Sequence, residues 1–329
     1  MMSMRDIGLA AAILLGLAAA PALAETTLRV SHFPGSVWPI QAGMEQGYFA
    51  AEGLKIELMP ITSSVAQMTG IMENKVELGT TAMDNVIAYD SGQGEAPLKE
   101  KADLFVFMGG DGGSLHLMTA PDVKKVEDLK GKTLAVDAKT TGFAFVLYSI
   151  VEKHGLKASD YSLLAVGSSQ KRLEALTGGQ AQAALLNRPF DSMAAAKGAN
   201  DLGAMSATFP HYQSGVGMAR RSWAKDHKAE LIGFIRAYVK GSLWIFDPRN
   251  REPAIANLLK NTPNLPQKTA EDIYANTTGP GTVVSPTAAL DEKGIATVVA
   301  LREKFSVPKK KLGSAKQFYD LTYYNAAVK

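Results

Sequence analysis

The stretch Leu28–Met59, LRVSHFPGSVWPIQAGMEQGYFAAEGLKIELM, decides the fold class. Leu28-Arg29-Val30 opens a short strand that reaches His32 and Phe33, and Pro34-Gly35 stops it. Ile40, Met44, Gly47, Tyr48 and Ala51 then recur at the spacing of one helix face, with Gly53 as the stop. Leu54 to Met59 returns as a strand. Beyond it, Ser63 or Ser64 caps a helix whose inner face is Val65, Met68 and Met72, Val76 to Thr80 forms a third strand, and a helix follows near Asp84 to Tyr89. This alternation predicts an α/β lobe of parallel strands joined by right-handed crossovers.

The rhythm pauses and restarts. Leu104 to Met108 reads as a strand, Gly109-Gly110-Asp111-Gly112-Gly113 as a glycine-rich connector, and Leu115 to Thr119 as a strand crossing to a second lobe. After the Pro/Gly-flanked, charged stretch from Pro121 to Lys132 come strand Leu134–Val136, a helix with Phe143, Leu147, Ile150, Val151 and His154 on one face, strand Leu163–Val166, helix Gln170–Thr177 and strand Ala183–Leu186. From Ser222 onward only helices are expected. One carries Leu231, Phe234, Ile235, Tyr238, Ser242 and Ile245 and ends at Asp247-Pro248; another starts at Ser285-Pro286 and runs towards Phe305. The resulting division is residues 1–24 as a leader, 25–118 as the first part of lobe 1, 119–214 as lobe 2, and 215–329 returning to lobe 1 with a helical tail.

Met1 to Ala24 has the pattern of a secretory signal: Arg5 near the start, an apolar run from Ile7 to Ala20, and Ala22-Leu23-Ala24 as a small-x-small cleavage site before Glu25. The leader holds one basic and one acidic residue, so the net charge of +3 is the same with or without it. Such a balance argues against a nucleic-acid or membrane-surface binder. With 46% hydrophobic residues the chain has enough apolar side chain for two lobes, and no second stretch is apolar enough to span a bilayer. Cysteine is absent, which removes disulfides, thiolate metal sites, thiol nucleophiles and a lipidated N-terminal cysteine. A soluble protein without a lipid anchor, held in a Gram-negative periplasm, is the expected location.

No catalytic spacing stands out. His32, His116, His154, His211 and His227 are scattered and lack the helical zinc-protease pattern, so no metal is expected. There is no G-x-S-x-G elbow, no G-x-x-x-x-G-K phosphate loop and no G-x-G-x-x-G dinucleotide loop, so neither a catalytic group nor a cofactor is assigned. Carboxylates meeting in space remain an open route to hydrolysis, though nothing local selects a pair.

Four segments carry a resemblance: Leu28 to Phe33; Glu45-Gln46-Gly47-Tyr48-Phe49 with Glu52-Gly53-Leu54; Asp128-Leu129-Lys130-Gly131-Lys132; and Asn187-Arg188-Pro189. In their order and separation they resemble the solute-binding proteins of nitrate, sulfonate and taurine type ABC importers, over the mature chain to about Pro248. The resemblance implies a two-lobed periplasmic binding protein fold of type II, with a ligand cleft between α/β lobes; the helical C-terminal tail is expected to pack back on lobe 1. It also implies hinge closure and delivery of the loaded protein to a membrane permease with its ATPase; a monomer carrying a small acidic organic solute is the expectation. A related branch of the fold makes pyrimidines with a cysteine-rich motif, which a cysteine-free chain does not match. The alternatives are a periplasmic enzyme on the same fold, with Asp84 and His32 as acid and base, and a ligand-sensing partner of a membrane receptor.

In open α/β sheets a ligand sits at the carboxyl ends of strands, beside helix N-termini. That rule selects Ser31, His32 and Phe33; Ser63 and Ser64; Thr81, Asp84 and Asn85; Thr140, Thr141, Gly142 and Phe143, where the resemblance places a ligand-contacting turn; and Asn187 with Arg188. Each has a plainer reading. His32 is equally a satisfied turn residue, Ser63, Ser64 and Asp84 are helix caps, Phe143 packs inward, and Arg188 pairs with Asp191 or Asp201. If Asp84 faces the cleft its charge opposes an anion, whereas Arg188 favours one. Trp38, Tyr89, Phe190 and Tyr212 read as packing before ligand walls.

Overall fold

Leu28 and Val30 alternate with outward residues along the first strand, and both are fully buried. The computed structural model describes residues 25–96, 98 and 100–329; the expected leader lies outside them. Ten strands are present among these residues: β1 (Thr26–His32), β2 (Leu54–Pro60), β3 (Leu78–Ala82), β4 (Leu104–Asp111), β5 (Leu115–Thr119), β6 (Thr133–Val136), β7 (Ser162–Ala165), β8 (Ala183–Asn187), β9 (Asn200–Ala204) and β10 (Gly215–Arg220). They form two five-stranded sheets, ordered β2-β1-β3-β10-β4 and β7-β6-β8-β5-β9.

Both sheets are mixed. β1 pairs in parallel with β2 and β3, and β6 with β7 and β8, as the βα rhythm predicts. Outside that rhythm, β10 runs antiparallel to β3 and β4, and β5 antiparallel to β8 and β9. The cause is the chain path: β5 and β10 each enter their sheet from the side on which the two sheets meet, so they run against strands whose carboxyl ends point there. The crossovers are tied together. Ser214 N–H donates to the Asp111 carbonyl at 2.9 Å. Gln213 Nε2 donates to the carbonyls of Asp111 and Gly215, and its Oε1 accepts from Asp291 N–H.

Twelve α-helices accompany the strands among the described residues. Those of the two lobes are α1 (Trp38–Glu45), α2 (Ser64–Met72), α3 (Met83–Asp90), α4 (Gly142–Lys153), α5 (Ser169–Thr177) and α6 (Phe190–Ala196). The rest are α7 (Arg221–Asp226), α8 (Lys228–Phe246), α9 (Arg251–Asn261), α10 (Gln267–Thr278), α11 (Glu292–Phe305) and α12 (Thr322–Ala327). Two helix boundaries differ from expectation. α1 stops at Glu45 rather than reaching Ala51, because Gly47 takes a left-handed φ of 72°. α11 begins at Glu292, capped by the Asp291 side chain on Lys293 N–H, and Ser285-Pro286 stays outside it.

The helical tail covers the first sheet. Phe234 of α8 packs with Phe49 and Phe107 in a core that includes Leu28, Val30 and Ile56. α11 does more than cover lobe 1. Its Ile295 and Val298 join a core shared by Val86 and Ile87 of α3 and by Phe145 and Leu147 of α4. One helix of the tail therefore fills the seam between the lobes.

α8 also crosses α1 at very short range, and the contact depends on glycine. A Cβ on Gly241 would lie 2.2 Å from the Pro39 carbonyl oxygen and 2.9 Å from Gly43 N. Gly241→Ala is expected to destabilise the fold by about 1–3 kcal/mol, the usual cost of overpacking, read from the midpoint of urea unfolding.

Candidate functional site

The carboxyl ends of β1, β2 and β3 face those of β6, β7 and β8, and the loops beyond them touch in sequence along one seam. A Cβ on Gly35 would lie 3.3 Å from the Arg188 carbonyl oxygen, and one on Gly167 would lie 3.3 Å from that of Thr62. Ser64 Oγ, at the start of α2, donates to Asp137 Oδ2 at 3.2 Å from the other lobe. Glu95 Oε1 accepts from Thr140 N–H at 3.2 Å and from Thr140 Oγ1 at 2.7 Å. At Gly142 the approach is closest: a Cβ there would fall 2.4 Å from that of Asp84. The lobes are closed upon each other. The gap left among Ser64, Asn85, Tyr89, Glu95, Thr140 and Arg302 is about 10 Å³, below what an organic molecule needs.

Asp84 is the centre of this seam. It sits in the first turn of α3, 1% exposed, and does not cap the helix, whose N-cap is Ala82. Arg302 of α11, fully buried, donates from Nε to Oδ1 at 2.6 Å and from Nη2 to Oδ2 at 2.5 Å. Nη2 also donates to the Thr140 carbonyl at 2.8 Å, so one guanidinium holds both lobes. Phe145 lies 5.0 Å beneath it. The Tyr212 hydroxyl, buried without a partner, stands beside the position of Asp84. Burial and the Asp84 carboxylate push the Tyr212 phenol well above its usual range.

The other selected residues fall into two groups. Some are spent within their own lobe. Ser31 Oγ donates to the Leu78 carbonyl and receives Gln67 Nε2, Ser63 caps α2 through Ala66 N–H, and Thr81 Oγ1 accepts from Asn85 Nδ2. Thr141 caps α4, Phe143 packs against the shared core, and Asn187 Nδ2 donates to the Arg188 carbonyl. Arg188 Nε donates to Asp191 Oδ2 at 3.3 Å, the structural pairing raised as its plainer reading. His32 and the half-buried Phe33 lie at the end of β1, with His32 Nδ1 3.0 Å from the Phe33 carbonyl. Ser64, Asp84, Thr140 and Gly142 make the closest contacts across the seam, Asn85 and Thr141 line the gap beside them, and the Arg188 carbonyl touches the Gly35 turn.

Sequence reasoning missed Arg302, Asp137, Gln67 and Arg172. Asp137 follows β6 directly, so the strand-end rule that selected Asn187 reaches it as well. Arg302 has no such signal, being remote in the chain and followed by Glu303 and Lys304. A second cavity of about 230 Å³ lies beside the crossovers, lined by Asp111, Phe209, Tyr212, Gln213 and Asp291 among others, and reaches the seam through Tyr212. Among the described residues no group of three His, Asp or Glu side chains stands close enough to hold a metal.

Removing one partner of the buried pair strands the other charge. Asp84→Ala is expected to cost about 3–5 kcal/mol in chemical unfolding, and the double replacement Asp84→Leu with Arg302→Met to recover most of it. His32 supplies a pH dependence. Burial holds its imidazole below the ordinary 6.5. The unfolded chain then binds the proton more readily, so this contribution is complete above about pH 6.5 and is lost as the pH falls through the lowered folded value. His32→Gln should flatten that fall when unfolding is compared at about pH 7.5 and 5.5.

With the geometry in place, comparison with known proteins gives consistent results. No curated protein sequence matches the chain. Its fold is that of an alkanesulfonate-binding protein of Xanthomonas axonopodis pv. citri bound to MOPS, with 18% identity, a TM-score of 0.71, and 92% of this chain and 99% of that one covered. It is also that of a periplasmic nitrate-binding protein of Synechocystis PCC 6803, at 10% identity and a TM-score of 0.76 over 92% and 88% of the two chains. A Candida albicans protein described as having the generic periplasmic binding protein fold aligns at 15% identity, with a TM-score of 0.64 over 92% and 96%. Residues 36–250 match the family model described as "NMT1/THI5 like", and the chain belongs to that family.

Proposed function

We propose that the protein is the periplasmic substrate-binding component of an ABC importer, capturing a small, acidic organic solute between its lobes and delivering it to a membrane permease. The observation that carries this reading is the seam: six strand ends from two sheets converge on one cleft, and the sheets are joined through two crossovers at one side. Such an architecture is suited to opening and closing about the crossovers, with a ligand favouring the closed form because only there does it touch both lobes. Family membership and the fold shared with sulfonate- and nitrate-binding proteins support the same reading. The protein would act as an exported monomer, without catalysis. The ligand would meet the segments around Ser31 to Phe33, Ser63-Ser64, Thr81 to Asn85, Thr140 to Phe143 and Asn187-Arg188.

The test is calorimetry and thermal shift of the mature protein against nitrate, sulfonates, aliphatic and aromatic carboxylates, amino acids and pyrimidines, with X-ray scattering to follow closure. Binding of one acidic class with micromolar or tighter affinity, a raised melting temperature and a smaller radius of gyration are expected. No binding by any class, or turnover of one of them, overturns the reading.

A further inference from the structure

At the start of α5 in lobe 2 the fold buries a charge that no carboxylate pairs. Arg172, in the first turn of α5, is 4% exposed. Its Nη2 donates to Ser169 Oγ at 2.6 Å, and its Nε has no hydrogen-bond partner. Burial pulls the guanidinium below its ordinary value, and Asp137 offsets this only through space, without a hydrogen bond. Asp137 itself uses Oδ2, which accepts from Ser64 Oγ of lobe 1. Burying a guanidinium with an unsatisfied N–H is costly, and proteins rarely leave one so without a use. The other buried arginine of the seam, Arg302, also keeps one unbonded nitrogen, Nη1, but its charge is matched by a bidentate carboxylate, which Arg172 lacks.

We propose that Arg172 anchors the anionic group of the ligand and that Asp137 receives a hydrogen-bond donor from the same molecule, so that the solute is a small acid carrying an N–H group, of the amino-carboxylate class. The inference rests on the carrier reading above and narrows it. Location supports it. Asp137 directly follows β6, α5 follows β7, and lobe 1 approaches both through Ser64 and the Thr62 carbonyl, which faces Gly167. In this arrangement Ser64 of lobe 1 lies directly against Asp137, so a ligand at Asp137 would be in reach of both lobes. Arg188, with Asp191 as its partner, is less available for the same task.

Two matched pairs of probes test the class: β-alanine against propionate, and 4-aminobutyrate against butyrate, measured by calorimetry and thermal shift. The amino acid of a pair is expected to bind about tenfold or more tightly than its plain acid, since a donor bonded to a charged group separates them. Arg172→Met keeps the apolar stem and removes the charge. It should leave the unliganded melting temperature unchanged or higher, because an uncompensated buried charge is gone, and should weaken the amino acid at least tenfold, with Arg172→Lys intermediate. A plain acid binding as well as its amino partner overturns the proposal, as does an Arg172→Met protein that melts lower yet binds normally. If none of the four probes binds while another solute of the wider panel does, the substrate class fails and the carrier reading stands. Silence across the whole panel overturns both.

Discussion

The Asp84–Arg302 pair governs how the two halves of the molecule meet. Removing both charges from water carries a desolvation penalty that their attraction roughly balances, so the pair is a poor source of net stability. Its value is positional. Asp84 belongs to α3, Arg302 to α11, and the carbonyl that shares Arg302 belongs to the turn before α4. Three elements from three distant parts of the chain thus acquire one mutual register, and the shared apolar core of Val86, Phe145 and Val298 is packed around that register. Gly142 completes it, since any side chain there would occupy the space of the Asp84 Cβ.

This arrangement changes the electrostatics of the cleft. Taken alone, Asp84 would repel an anion; with both oxygens held by Arg302 it contributes little net charge. Arg188, the residue that favoured an acidic ligand in the sequence, is engaged by Asp191. The charge left over is Arg172, and it lies on the opposite lobe from Asp84. The two buried arginines therefore divide the work of a closing cleft: one sets where the lobes meet, and the other stands unpaired where a ligand would be enclosed.

Much of this was legible in the sequence. Hydrophobic alternation along Leu28–Val30, the three-and-four spacing in α4, and the strand-end rule together found two α/β lobes and the loops that face each other. Local signals reached Ser64, Asp84, Thr140 and Gly142 because each lies one turn or less from a strand end or helix start. They did not reach Arg302, which is 218 residues from the carboxylate it binds and sits among charged neighbours that read as a solvated face. Strand direction was also hidden, because periodicity reports which face a side chain takes and not the way the strand runs. Only the route of the chain between sheets decides that β5 and β10 are antiparallel.

The place of α11 in the seam also has a meaning for the order of assembly. Residues 83–90 and 142–153 find their common cover in residues 292–305, near the far end of the chain. A polypeptide that emerges N-terminus first exposes both sheets, and even both crossovers, before that helix arrives. The lobes can form their own strand ladders in the meantime, but the face carrying Phe145 and Ile87 stays open to solvent until the last tenth of the chain is out. Docking of the two halves is thus a late event by construction, and a chain cut short before residue 292 would keep its sheets and lose their alignment.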